Sequence, residues 1–108
     1  MTNPTCTHTP VGVTLNVIGG KWKILILWLL REKPIRFGEL MKKINGITQK
    51  MLTQQLRELE TDGLVIRKVF AEVPPHVEYA LSDYGRSLDG VLKELCGWGE
   101  KHIKKRNT

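Results

Sequence analysis

No run of this 108-residue chain is apolar for long enough to cross a bilayer. The longest, Trp22 to Leu30, is interrupted by Lys23 and falls far short of the roughly 20 residues that a membrane span needs. The opening MTNPTCTHTP lacks the basic start and apolar core of a secretory signal, so a cytoplasmic protein with no membrane partner is expected. Cysteine is scarce: Cys6 and Cys96 lie 90 positions apart, and in a reducing compartment such a pair is two thiols rather than a structural disulfide. Metal-type side chains are dispersed. Cys6 and His8 sit near the start while His76, Cys96 and His102 are scattered, so no zinc spacing is formed and no metal or cofactor is expected. A phosphate loop is missing too. Gly19-Gly20-Lys21 is followed by Trp22 where Ser or Thr would hold Mg²⁺, and the spaced first glycine is absent; the pair reads as a helix break, and no enzyme is expected.

Acidic residues are outnumbered. Seventeen Lys and Arg against eleven Asp and Glu leave a formal charge of +6 and a pI near 9.6. A surplus of that size favours polyanions such as nucleic acid or anionic lipid, with solubility as the plainer account. A hydrophobic fraction of 41% with 26% charged residues fits a folded chain, and the length suits one domain.

Several segments carry helical periodicity. After a Pro- and Thr-rich start, Val11, Leu15 and Ile18 mark one helical face that Gly19-Gly20 ends. KWKILILWLLRE is apolar nearly all round, the pattern of a helix at the centre of a small domain. Pro34-Ile35-Arg36 favours an extended link. In FGELMKKI, Phe37, Leu40, Met41 and Ile44 fall at i, i+3, i+4 and i+7, and Asn45-Gly46 turns the chain. Thr48 then offers an N-cap to a fourth helix of about fifteen residues, anchored by Leu52, Leu56 and Leu59 and stopped at Asp62-Gly63. LVIRKVF and VEYAL, joined by AEVPPH, read as an antiparallel two-stranded ribbon. Ser82-Asp83 cap a last helix with Tyr84, Leu88, Val91, Leu92, Leu95 and Trp98 on one stripe, ending in the basic KHIKKRNT. No internal repeat or long low-complexity segment interrupts this order. It predicts an α+β, mainly helical fold: a winged helix-turn-helix with a two-stranded β-ribbon wing and a C-terminal dimerisation helix.

The fourth helix, within GITQKMLTQQLRELETDG, carries more polar surface than packing requires. At 100° per residue, Lys50, Thr53, Gln54, Arg57 and Thr61 lie opposite Leu52. Lys and Arg suit phosphates or guanine edges, Gln suits adenine, and Thr suits either a polar edge or the thymine methyl. Glu58 and Glu60 flank that face without joining it. Thr48 and the first backbone N–H groups form a helix start suited to a phosphate. A merely solvated face would look alike in isolation, but Arg67 and Lys68 on the ribbon and the tail from Lys101 to Arg106 stand where a duplex would be gripped. Arg31, Lys33, Arg36, Lys42 and Lys43 add charge around the third helix.

The motifs GGKW, RFGEL, ITQKMLTQQLRELE and VEYALSDYG together resemble the HxlR-type family of bacterial winged helix-turn-helix transcriptional regulators, over about Pro10 to His102. The resemblance implies a homodimeric repressor or activator that binds double-stranded DNA at a pseudo-palindromic operator. It places Gln49, Lys50, Thr53, Gln54 and Arg57 on the recognition helix. Arg67, Lys68, Pro74, Pro75 and His76 fall on or beside the wing. Thr48, Gln49, Lys50, Thr53, Gln54, Arg57, Arg67, Lys68 and His76 are thus the expected DNA contacts. The alternative is a winged helix that only binds proteins. Members of the family often carry a cysteine directly before the Pro-Val that opens the first helix, and in several it senses electrophiles or oxidants. This sequence departs from that pattern, with Thr9 before Pro10-Val11 and Cys6 three residues earlier. Cys6, near His8, is the candidate redox sensor, whereas Cys96 is expected to pack as a small hydrophobe.

Gly90, Gly97 and Gly99 each cost the last helix roughly 1 kcal/mol relative to alanine unless close packing offsets it. With Leu88, Val91, Leu92, Leu95 and Trp98 they suggest a helix that meets its own copy across a two-fold axis. The expected organisation is a flexible arm over 1–9, the DNA-binding domain over 10–104 and a tail over 105–108.

Overall fold

A computed structural model describes residues 8–108; Cys6 lies outside the described residues. Helix α1 spans Pro10–Ile18, with the Thr9 hydroxyl oxygen accepting from Gly12 N–H at 3.0 Å and Pro10 in the first turn, where its missing N–H costs nothing. Gly19 closes it and Gly20, at φ 86°, redirects the chain into α2, Lys23–Leu30. Strand β1 is only Ile35–Arg36, followed by α3, Phe37–Lys43, and α4, Gln49–Thr61. The ribbon is β2, Val65–Phe70, and β3, His76–Leu81; α5, Asp83–Arg86, and α6, Asp89–Arg106, complete the chain.

The core sits where α2, α3 and α4 converge on the base of the ribbon. Ile26, Leu27 and Leu30 of α2 meet Leu40, then Leu52, Leu56 and Leu59 of α4, with Leu64, Val65, Tyr79 and Leu81 from the sheet and Leu92 from α6. The central position predicted for α2 is what the structure shows. Phe37 and Tyr79 pack ring to ring at 6.4 Å, and burial raises the Tyr79 phenol above its ordinary pKa.

Three features differ from expectation. The sheet has three antiparallel strands in the order β1-β3-β2, because Ile35 pairs with Tyr79 and Arg36 with Glu78. A two-residue strand has no periodicity of its own to reveal it. The last helix is broken: Ser87 N–H and Leu88 N–H bond to the carbonyls of Tyr84 and Gly85, and the Ser87 hydroxyl also donates to the Tyr84 carbonyl. This tight turn competes with helical pairing and rotates Tyr84 out of the stripe, leaving it 67% exposed. Helix α6 runs through Arg106, so the expected tail from 105 begins inside it.

The apolar stripe of α1 also faces outward. Ile18 is buried, but Val11 and Leu15 are exposed. Of the apolar positions on α6 only Leu92 enters the core; Val91, Leu95, Trp98 and Ile103 are exposed. Cys96, expected to be packed, is exposed even though it lies one turn beyond Leu92 on the same side, because Leu92 is the only buried residue of this helix. The start of α6 is nevertheless tied down. Arg31 lies 4.4 Å from the Trp28 ring centre and reaches Asp89 at 3.2 Å, and Lys93 reaches the same carboxylate at 3.0 Å.

Candidate nucleic-acid interface

Helix α4 starts where the Thr48 hydroxyl oxygen accepts from Met51 N–H at 3.1 Å, and it is amphipathic in a simple way. Leu52, Leu56 and Leu59, at i, i+4 and i+7, are fully buried, so packing fixes the rotation of the helix about its axis. The other side carries Gln49, Lys50, Gln54, Arg57 and Thr61, all exposed, with Thr53 half-buried beside them. Gln49, Lys50, Thr53, Gln54, Arg57 and Glu58 border one open concavity. Thr53 and Thr61 each donate to the carbonyl four residues back, at 2.9 Å. Their hydroxyl protons are therefore used within the helix, which leaves oxygen lone pairs and methyl groups for a partner.

Glu58 is the acidic neighbour of this face, and it is neutralised. Lys23 Nζ lies 2.6 Å from Glu58 Oε1, reaching it from α2. Gln54 Nε2 donates to the second oxygen, Oε2, at 3.3 Å. The hydrogen bond and charge of Lys23 hold the Glu58 carboxyl below its ordinary pKa of 4.5. Lys23 itself is 7% exposed and is the one buried charged residue among the described residues. Lys23 is the single cation of an otherwise apolar helix and stands at its first residue.

On the ribbon, Arg67 pairs in register with Tyr79 and Lys68 with Glu78. Alternation puts the two cations on opposite faces. Arg67 faces a cleft it shares with Arg36, Lys42 and Tyr79 between α3 and the ribbon. Lys68 lies 5.1 Å from the Phe70 ring centre on the other face. His76, an expected DNA contact, is engaged within the ribbon itself. Its ring stacks on Phe70 at 4.6 Å, and its two nitrogens each lie 3.4 Å from a carboxylate oxygen, of Glu72 and of Glu78. These contacts tie the ribbon tip together. Of the expected dimer set, Leu92 is buried in the chain's own core and Leu88 is half-buried against it.

The charge pairs give the fold a definite acid response. Asp89 is held below its ordinary pKa of 3.8 by its hydrogen bonds to Lys93 and Arg31, as Glu58 is by Lys23. Carboxylates with lowered folded pKa values stabilise above their ordinary pKa, and that contribution is lost as pH falls through the folded pKa. The melting temperature should hold from neutrality down to about pH 4.5 and then decline below it, with a shallower decline for Asp89→Asn. Parallel melting curves for the two proteins between pH 3 and 5 would show that the Asp89 pairs contribute nothing.

The profile of the HxlR-like helix-turn-helix family matches residues 17–107. YtcD, an uncharacterised HTH-type transcriptional regulator of Bacillus subtilis (strain 168), is 58% identical over 95 residues, covering 88% of this chain and 75% of the relative. The crystal structure bearing the ytcD name superposes with a TM-score of 0.84 at 56% identity, over 89% of this chain and 98% of that one. The redox regulator HypR in its reduced form superposes with a TM-score of 0.86 at 44% identity, over 92% of this chain and 98% of that one.

Proposed function

The chain belongs to the HxlR-like helix-turn-helix family, a winged-helix group of DNA-binding transcriptional regulators, and on that premise we propose that it works in the cytoplasm as a homodimer on a pseudo-palindromic operator. The observation that carries this reading is the outward face of α4. Lys50, Gln54 and Arg57 project there with no unpaired carboxylate among them, because Lys23 neutralises Glu58. Arg57 and Gln54 read base edges and Thr53 offers its methyl; Gln49, Lys50 and the Thr48 turn meet the backbone. Arg67 and Lys68 on the wing hold phosphates, and Arg36 and Lys42 extend the Arg67 cleft.

The second half of the proposal rests on unpartnered apolar surface. Val91, Leu95 and Trp98 lie at i, i+4 and i+7 on the outer side of α6, and Val11, Val13 and Leu15 of α1 are exposed as well. A methyl group added at Gly90, Gly97 or Gly99 would meet nothing within 4 Å among the described residues, so packing within one chain does not account for these glycines. A two-fold copy covering this side would present the two α4 helices about 34 Å apart, one turn of duplex.

Titration against genomic fragments at several salt concentrations tests the reading. If Lys50, Arg67 and Lys68 of both copies displace counterions, the logarithm of affinity should fall against the logarithm of salt with a slope of about −5. Arg57→Ala should cost about 1–3 kcal/mol and relax preference at one operator position, while Lys68→Ala should weaken all sequences alike and shrink the slope. Absence of binding, or binding indifferent to salt, would leave the fold as a protein-interaction module.

A further inference from the structure

We propose that Lys23 and Glu58 are positioning residues that set which base Gln54 reads, a proposal that rests on α4 being the DNA-reading helix. A lysine is costly to bury unless it is paired, and Lys23 lies in a helix where another leucine would pack without that cost. Its amine is committed to Glu58 Oε1 at 2.6 Å. The carboxylate is thereby pinned against α2 instead of swinging toward the duplex, where it would repel phosphate.

The pinned carboxylate then acts on its neighbour. An ionised carboxylate only accepts hydrogen bonds, so the Gln54 amide must turn its NH₂ group toward Glu58, as it does at 3.3 Å. Gln54 Oε1 and the second N–H are left over on this exposed side chain, an acceptor beside a donor. That pattern complements the N6 donor and N7 acceptor that adenine shows in the major groove. With the amide free to rotate, the same side chain could present the reverse order. Lys23 touches no DNA, yet through Glu58 it keeps Gln54 in the adenine-reading orientation.

Selection from a random duplex library measures this for the full-length protein, with melting curves confirming that each variant folds. Gln54→Ala identifies the operator position concerned, by losing preference there. Glu58→Gln should lower the adenine preference at that position by about tenfold, leave preference elsewhere unchanged, and keep affinity for random DNA at or above the wild-type value. Lys23→Met should weaken binding to all sequences, because Glu58 is then uncompensated near phosphate. The double variant Lys23→Met/Glu58→Gln removes both charges of the pair, so it remains testable if either single variant unfolds. It should restore affinity for random DNA while leaving the adenine preference low. Unchanged adenine preference in folded Glu58→Gln, or in the double variant, overturns the proposal, and so does an equal loss at every position, which would indicate a displaced helix. A wild-type protein that selects no motif overturns the DNA-reading assignment itself, a result distinguishable from both.

Discussion

Leu95→Asp is expected to leave the winged helix folded, convert the dimer to a monomer, and lower operator affinity at least a hundredfold. Leu95 is 47% exposed in the isolated chain and supports no core residue, so an aspartate there costs the fold itself little. The proposed two-fold contact changes that. Leu95 would sit at the centre of the stripe made by Val91 and Trp98, and an isologous interface repeats the substitution, placing two carboxylates in one apolar seam. Burying an unpaired charge costs several kcal/mol, enough to shift the equilibrium to monomers. One half-site then loses the gain of having the second tethered beside it, which is commonly worth a factor of about 10² or more. Light scattering coupled to gel filtration reads the mass, circular dichroism reads the fold, and a titration with the selected operator reads the affinity. Unchanged mass and affinity in the Leu95→Asp variant would exclude this face as the interface.

The recognition helix was legible in sequence because both of its faces obey one period. Leu52, Leu56 and Leu59 must turn inward, and Lys50, Gln54 and Arg57 are then carried outward without further information. The wing was legible for a similar reason, since β-branched and aromatic runs on either side of a proline-bearing loop have few other folds. Periodicity names the apolar side of a helix but not what covers it. Val11 and Leu15 share a stripe with Ile18, yet only Ile18 reaches the chain's own core, while on α6 it is Leu92 that does so and Val91 and Leu95 that do not. The break after α5 shifts the phase between Tyr84 and Leu92, and a helical wheel drawn across it merges two surfaces into one. Pairings between distant segments were invisible for a different reason. Ile35 with Tyr79, and Lys23 with Glu58, bring together residues whose proximity only the folded chain creates. A histidine next to a basic wing resembles a phosphate ligand in sequence, and only the folded ribbon brings Glu72 and Glu78 beside its two nitrogens.

Gly85→Ala should be among the most damaging single substitutions outside the leucine core, although it adds one methyl group. A Cβ at this position would collide with the Leu64 carbonyl oxygen and stand 3.1 Å from its carbon. The obstacle is backbone, which cannot rotate aside as a side chain would. That carbonyl is held by Ser82 N–H at 3.0 Å, while the Ser82 hydroxyl accepts from Gly85 N–H at 2.9 Å and donates to the Gly63 carbonyl. Gly63 is in turn fixed at φ 77°, where it turns α4 into β2. Relief of the clash must either lift the start of β2 away from α4 or unwind α5. Overpacking that moves backbone costs about 3 kcal/mol, which for a domain of this size corresponds to a melting temperature lower by about 15 °C. A change of only a degree or two would show that α5 slides without cost. Gly85 touches none of the proposed DNA contacts, so operator affinity measured well below the melting point should stay near wild type. That pairing of lost stability with retained affinity separates a glycine required by close approach from one required for binding.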